Sequence, residues 1–208
     1  MAMRRTAVLI SGNGSNLQAL IDATTRGETG ADLSLVIANK TDAFGLVRAS
    51  RAGIPTKVID HKRYAHRAQF DQAIDAMLQE FDIELVCLAG FMRILGDAVT
   101  DRWQGRMVNV HPSLLPSFKG MNTHERALAA GVRIHGCTVH QVTAELDDGP
   151  ILVQGAVPVL DNDDVASLAA RVLEVEHQCY PLALAHLTGR SIAPRLVLHP
   201  DLHTGQGE

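Results

Sequence analysis

The chain has 208 residues, which is enough for one domain that buries a complete hydrophobic core without disulfides or metal ions. Hydrophobic residues make up 46% and charged residues 20% of the sequence, a composition that is typical of a globular protein and argues against intrinsic disorder. The formal net charge of −4 predicts no basic surface for nucleic acid or for an anionic membrane.

Three widely spaced cysteines, Cys87, Cys137 and Cys179, form no C-x-x-C pair, which suits a reducing compartment better than a disulfide scaffold. The first apolar run, residues 7–10, is too short for the core of a signal peptide. No uncharged apolar window approaches the roughly 18 residues of a membrane span. We therefore expect a cytoplasmic protein with no membrane partner, and the sequence leaves open whether it is a monomer or a homodimer.

The first half of the chain alternates short apolar runs with amphipathic segments. The apolar runs predict strands at 6–10, 33–38, 56–59, 83–89 and 107–110. The amphipathic segments predict helices at 17–26, 43–52, 65–81 and 97–104. This rhythm, with its short connections, indicates a parallel sheet with helices on both faces.

The second half changes character. A helix is predicted at 123–130, and two extended runs, 136–143 and 151–159, flank the turn sequence D-D-G-P. Two extended runs joined by such a turn indicate a hairpin, and therefore antiparallel strands.

A long helix should follow this hairpin. Asn162 or Asp163 is expected to cap it from about residue 164, and Pro181 is expected to bend or interrupt it. The polar tail from about residue 194 is expected to be loosely held.

These elements together predict a single α/β domain over residues 1–208. Its sheet should be Rossmann-like, doubly wound and mostly parallel, with helices on both faces and antiparallel strands in the C-terminal half.

A glycine-rich segment, S-G-N-G-S-N-L at 11–17, follows the first predicted strand and opens a helix, where backbone N–H groups favour an anion. Leu17 stands where a dinucleotide fingerprint has its third glycine, and Asn39 and Lys40 follow the second strand, where an acid would bind a ribose. A Walker loop is excluded because no G-K-[S/T] sequence is present. The segment predicts a phosphate-monoester site, with a simple glycine-rich turn as the alternative.

A polar pair lies at the end of the fifth predicted strand, in the sequence M-V-N-V-H-P-S-L-L-P at 107–116. Asn109 and His111 alternate with valines, so their side chains share one face of an extended chain. An amide beside an imidazole offers two donors to an oxygen that becomes negative. From these residues alone, two buried polar side chains near a turn are an equally good interpretation.

Asp147, in the turn sequence E-L-D-D-G-P, is either a turn residue or the carboxylate partner of a histidine. A carboxylate beside an imidazole stabilises the protonated ring and helps to relay a proton. A serine hydrolase is disfavoured because Ser113 lacks a G-x-S-x-G context. A metal site is disfavoured because no H-E-x-x-H occurs, and His135 and His140 should point to opposite faces of a strand.

Four separated motifs, in this order, resemble those of the folate-dependent phosphoribosylglycinamide formyltransferases. They are I-S-G-N-G-S-N-L at 10–17, L-A-G-F-M-R-I-L at 88–95, N-V-H-P-S-L-L-P at 109–116, and G-C-T-V-H at 136–140 with L-D-D-G at 146–149. The likeness extends from about residue 7 to about residue 187. The N-x-H-P-S-L-L-P and D-x-G motifs also occur in methionyl-tRNA formyltransferases and formyltetrahydrofolate deformylases.

The resemblance implies formyl transfer from the co-substrate 10-formyltetrahydrofolate to the amine of 5'-phosphoribosylglycinamide (GAR), in purine biosynthesis and without a metal. It implies a catalytic set formed by Asn109, His111 and Asp147. It implies a GAR site formed by Gly14, Ser15, Asn16 and Glu176. It implies a folate pocket lined by Met92, Arg93, Ile94, Leu95, Val142, Thr143 and Ala144. The N-terminal half of the domain would bind mainly GAR and the C-terminal half mainly folate.

Two further substrate contacts stay open. Lys119 belongs to a segment, 117–122, that is expected to be a mobile loop near the substrate. Leu173 is apolar where some relatives have a polar contact.

Three other functions compete with this one. A 10-formyltetrahydrofolate hydrolase would use the same Asn-His-Asp set on water, but would need no phosphate loop. A tRNA formyltransferase should carry an additional RNA-binding domain and a basic face, which the net charge does not favour. A non-enzymatic folate or phosphate sensor would have no need of Asn109, His111 and Asp147.

Overall fold

The computed structural model describes residues 3–190 and 195–202, and within these segments it contains one mixed sheet of eight strands. The strands are β1 (Arg4–Ile10), β2 (Ala31–Ala38), β3 (Thr56–Val58), β4 (Leu85–Leu88), β5 (Met107–His111), β6 (Ile134–Gln141), β7 (Ile151–Pro158) and β8 (Leu196–Leu198). Their order across the sheet is β3-β2-β1-β4-β5-β6-β7-β8. The winding direction changes between β1 and β4, where doubly wound sheets open a crevice for ligands.

Helices cover both faces of this sheet. They are α1 (Ser15–Thr25), α2 (Gly45–Arg51), α3 (Arg67–Glu80), α4 (Asp97–Arg102), α5 (Thr123–Ala129) and α6 (Val165–Leu187). Alternate residues of β1 belong to two separate hydrophobic clusters, one on each face of the sheet. Val8 and Ile10 pack with α1, α2 and α6, and Ala7 and Leu9 pack with α3 and α4. Among the described helices, none is both long enough and apolar enough to cross a membrane.

The pairing directions confirm the predicted fold class. β1 runs parallel to β2 and β4, β2 runs parallel to β3, and β4 runs parallel to β5. The antiparallel pairs are β5 with β6 and β6 with β7. The sheet is therefore mostly parallel, with antiparallel strands in the C-terminal half.

The cap of α6 differs from the predicted one. Asp164, rather than Asn162 or Asp163, is the N-cap, and its carboxylate and the Ser167 hydroxyl each accept a hydrogen bond from the other residue's backbone N–H. Asp163 instead forms a two-pronged ion pair with Arg171, at 2.6 and 2.9 Å, and this contact lowers the pKa of its carboxyl to about 2. The prediction missed by one residue because three adjacent side chains could all have served as caps.

The C-terminal part consists of one long helix and a further strand. α6 is not interrupted at Pro181 but continues over 23 residues, because its packing on the sheet outweighs the one backbone hydrogen bond that proline removes. Leu196–Leu198 form β8, parallel to β7, and the loose attachment of the tail stays a prediction. The predicted tail residues 194 and 203–208 lie outside the described residues.

Candidate active site

The loop between β1 and α1 ends at Gly14, which is the N-cap of α1 in the left-handed conformation, with φ of 73°. No side chain caps α1, so the first backbone N–H groups, at Ser15 and Asn16, are available to an external anion. A Cβ atom at Gly14 would lie only 2.7 Å from the Cα atom of Gly45. Glycine is thus required at Gly14 both by the backbone conformation and by the close approach of α2.

Arg48 places a positive charge next to the loop between β1 and α1. Its Nε donates to the Asn13 carbonyl at 3.0 Å and its Nη2 donates to Asn13 Oδ1 at 2.8 Å. An open cleft of about 360 Å³ extends along α1 from Ser15, with the cationic Arg26 and Arg48, His177 and the acidic Asp22 on its walls. The helix start, the guanidinium and the cleft together form an environment suited to a phosphate group.

Asn16 and Glu176 form a buried pair beside this loop. Asn16 Nδ2 donates to Glu176 Oε2 at 2.7 Å, and Asn16 Oδ1 is buried without a hydrogen-bond partner. Burial raises the pKa of the Glu176 carboxyl to about 7, although the hydrogen bond from Asn16 opposes this shift. The four predicted GAR residues therefore lie together, and they come from both halves of the chain.

Glu176→Gln should change how the stability of the protein depends on pH. Because folding raises the Glu176 pKa from its ordinary 4.5 to about 7, the folded state binds more protons between these values. The contribution of this carboxyl to stability is complete below about pH 4.5 and is lost as the pH rises through 7. Glutamine does not ionise. The free energy of unfolding of the variant, relative to that of the wild type, should therefore increase by up to about 3 kcal/mol between pH 5 and pH 8.

Urea unfolding at the two pH values measures this gain. Glu80→Gln, which removes an exposed carboxyl on α3, is the matched control for loss of a carboxyl without burial. A constant difference between Glu176→Gln and the wild type at both pH values would contradict the prediction.

The predicted catalytic residues converge at the end of β5. His111 and Asp147 are both at least nine-tenths buried, and His111 Nδ1 lies 3.3 Å from Asp147 Oδ2. That carboxylate oxygen also accepts the Gly120 N–H at 2.9 Å, while His111 Nε2 lies 3.0 Å from the Phe118 carbonyl. Each ring nitrogen thus faces an acceptor, the Asp147 carboxylate at Nδ1 and the Phe118 carbonyl at Nε2. His111 Nε2 can donate to a formyl oxygen only after its contact with Phe118 is released.

His140 joins this group and was not predicted as a site residue. Its Nδ1 lies 2.9 Å from the Gln141 carbonyl, and its Nε2 lies 3.3 Å from Asn109 Nδ2 and 3.7 Å from Asp147 Oδ1. Burial lowers the pKa of His140, against the opposing effects of Gln141 and Asp147. A neutral ring with its proton on Nδ1 accepts one hydrogen of the Asn109 amide, and the second hydrogen is left for a substrate.

The strand register places His140 in the site, and the sequence alone does not show this register. Asn109 pairs directly with His140, and His111 pairs with Thr138. The sequence predicted both extended runs but not their register, which is the information that places His140 beside Asn109.

The predicted folate residues occupy two segments near this centre. Met92, Arg93 and Ile94 are exposed, and the Met92 N–H donates to Ser11 Oγ at 2.8 Å, which ties this segment to the phosphate loop. Leu95 is buried in the cluster against which Val142 packs. Thr143 is half-buried and Ala144 is exposed. The two segments thus present a mixed apolar and polar surface beside the catalytic residues.

Three further side chains with reactive groups make structural contacts instead. Lys119 pairs with Asp148, and the fully buried Cys137 has a thiol pKa well above its ordinary value, first through its contact with Cys179. His135 contacts the rings of Phe118 and His124, and burial lowers its pKa to about 4. Within residues 3–190 and 195–202, no cluster of histidine, cysteine or carboxylate side chains could hold a metal ion.

Comparisons with known proteins by sequence and by structure indicate one family. The formyl transferase family profile matches residues 4–184. The phosphoribosylglycinamide formyltransferase of Haemophilus influenzae is 45% identical over 186 residues, which cover 89% of this chain and 88% of that protein. The trifunctional purine biosynthetic protein adenosine-3 of Homo sapiens is 57% identical over 180 residues, 86% of this chain. This match spans only 18% of that longer protein.

The solved structure of glycinamide ribonucleotide transformylase 1 from Symbiobacterium toebii superposes with a TM-score of 0.88. It is 44% identical in sequence, and the match covers 95% of each chain. Similarity of this extent in both sequence and architecture, together with a family profile that matches residues 4–184, shows that the chain belongs to the formyl transferase family.

Proposed function

We propose that this chain transfers the formyl group of 10-formyltetrahydrofolate to the amine of GAR, giving formyl-GAR and tetrahydrofolate in de novo purine biosynthesis. The observation that carries the proposal is the convergence of Asn109, His111 and Asp147 at one strand end. An uncapped helix start, suited to a phosphate, follows β1 of the same sheet. The names of the full-length relatives support the same reaction.

GAR would bind through its phosphate at Gly14, Ser15 and Asn16. The backbone N–H groups there have no side-chain cap to compete with the phosphate. Glu176 would accept hydrogen bonds from the ribose hydroxyls, as its hydrogen bond from Asn16 occupies only one carboxylate oxygen. These contacts hold the substrate without taking part in the chemistry.

The folate co-substrate would lie along the segments 92–95 and 142–144. The exposed Met92 and Ile94 side chains and the packed Leu95 and Val142 side chains offer apolar contacts to a ring system. The Ser11 hydroxyl connects the start of the first segment to the phosphate loop, so the two substrates would bind to neighbouring segments.

The reaction follows from this placement. The GAR amine attacks the formyl carbon, and a tetrahedral intermediate with a negative oxygen forms. Asn109 and His111 donate to that oxygen, and His111 passes a proton towards the departing N10 nitrogen. Asp147 holds the protonated ring and helps to remove the proton of the amine through water. The residues need no metal, because hydrogen-bond donors stabilise the oxyanion.

Release of tetrahydrofolate from 10-formyltetrahydrofolate should depend on GAR. The change in folate absorbance, followed with and without GAR, measures this dependence, and the expected result is release only in its presence. Equal release without GAR would support the hydrolase instead. Binding of folate without release would support a sensor and contradict the proposed transfer.

We further propose a cytoplasmic location, which the free and buried thiols of Cys87, Cys137 and Cys179 support. A monomer and a homodimer both agree with the site as described, since every proposed site residue comes from one chain. We propose no nucleic acid or membrane partner.

A further inference from the structure

Thr138 lies at the centre of a buried hydrogen-bond network next to His111. Its hydroxyl donates to the Ser113 carbonyl at 2.7 Å and accepts from the Leu115 N–H at 3.0 Å. It also accepts from Gln154 Nε2 at 3.1 Å, so the hydroxyl uses its donor and both of its acceptor positions. Thr138 is fully buried, and such a saturated group holds its neighbours in one arrangement.

Gln154 anchors this network from β7. Its Nε2 donates at 3.0 Å to the Leu115 carbonyl as well as to Thr138. The register pairs His111 with Thr138 and Thr138 with Gln154, so these side chains form a polar row across three adjacent strands. The two amide hydrogens of Gln154 thus bind the Thr138 hydroxyl on β6 and the Leu115 carbonyl in the loop at the same time.

The loop held in this way carries the partners of the catalytic pair. Ser113 Oγ donates to the Ser117 carbonyl at 2.6 Å, which closes the turn that begins after His111. The next residues supply the Phe118 carbonyl to His111 Nε2 and the Gly120 N–H to Asp147 Oδ2. A shift of the turn at 113–117 would therefore displace one hydrogen-bond partner of His111 and one of Asp147.

We infer that Gln154 is a positioning residue for the His111–Asp147 pair. The Gln154 amide donates to Thr138 and to the Leu115 carbonyl rather than to His111 or Asp147, so it acts on the pair through these two groups. Without its amide, Thr138 loses one donor and the Leu115 carbonyl loses its side-chain partner. The turn then has fewer constraints, so the Gly120 N–H holds Asp147, and through Asp147 the His111 ring, in the productive arrangement for less of the time. For its kinetic part, this inference rests on the proposed function.

Gln154→Met tests this role because methionine has a similar length and shape but no N–H donor. The expected result is a fall of about ten-fold in kcat, with the KM for GAR within about two-fold of the wild-type value. The ring resonances of His111, observed by NMR without substrates, should shift as well. Gln178→Met is the matched control, since Gln178 is exposed on α6 and donates only to a helix carbonyl at 3.3 Å.

Thermal melting measures the fraction of each variant that is folded, so that kcat can be expressed per folded molecule. A loss of positioning can then be distinguished from a loss of folded protein. A kcat per folded molecule equal to that of Gln178→Met, with unmoved His111 resonances, would overturn the inference. A parallel loss of kcat and of GAR affinity would also overturn it, because the whole site would then be disturbed. The NMR readout needs no turnover, so a failure of the proposed reaction in the wild type can be told apart from a failure of this inference.

Discussion

His111→Ala is expected to reduce turnover by about 10²–10⁴-fold while GAR affinity stays within several-fold of wild type. The ring is buried between the Asp147 carboxylate and the Phe118 carbonyl, so its removal leaves Asp147 without the imidazole that it contacts at 3.3 Å. Alanine removes both a donor to the developing oxyanion and the group that passes a proton to the leaving nitrogen. The GAR residues belong to other elements, α1 and α6, and should be undisturbed.

Asp147→Asn should have a related effect for a different reason. Asp147 adopts a left-handed backbone conformation, with φ of 51°, which asparagine tolerates better than most residues. The replacement therefore keeps the turn, but removes the negative charge beside His111 Nδ1. Loss of the partner that holds the protonated ring should reduce kcat by about 10²-fold or more.

Single-turnover and steady-state kinetics, together with GAR binding by calorimetry, measure these effects. His66→Ala is the matched control, since His66 is exposed and makes no side-chain cap hydrogen bond at the start of α3. Unimpaired turnover in either His111→Ala or Asp147→Asn would reject the assignment of the catalytic set.

Gly14→Ala should weaken GAR binding by at least about ten-fold and also destabilise the fold. The new Cβ atom would lie 2.7 Å from the Gly45 Cα atom, and backbone at that distance must move. The left-handed conformation adds about 1–2 kcal/mol of strain for a residue with a side chain. Relief of this strain tilts the start of α1, and each lost hydrogen bond to a charged phosphate costs about 1.5–3 kcal/mol.

Gly27→Ala is the control that separates strain from position. Gly27 has the same φ of 73° and follows the other end of α1, but its Cβ atom would meet nothing within 4 Å. It should lose stability by about 1 kcal/mol and keep the wild-type KM for GAR. Equal effects of the two variants on GAR binding would show that the phosphate does not bind at the loop.

The sequence predicted much of the architecture, because each strand and helix depends on a pattern of residues that are close together in the chain. Buried parallel strands such as β1 appear as short apolar runs, and amphipathic helices such as α3 appear as periodic stripes. The errors occurred where several local solutions compete, as at the α6 cap, or where a segment has too few residues for a pattern, as at β8. Pro181 does not interrupt α6, and a local rule about proline could not predict this because it does not include the packing energy of a whole helix.

The sequence by itself determined the fold class, the glycine loop and the Asn109–His111 pair, because each depends on residues that are close in the chain. Only the tertiary structure decided that His140 lies beside Asn109, that Glu176 meets Asn16 across 160 positions, and that Gln154 holds the loop after β5. These contacts depend on strand register and on the packing of α6 against α1. Both arise from the sum of many weak interactions over the whole domain, which no short stretch of sequence encodes.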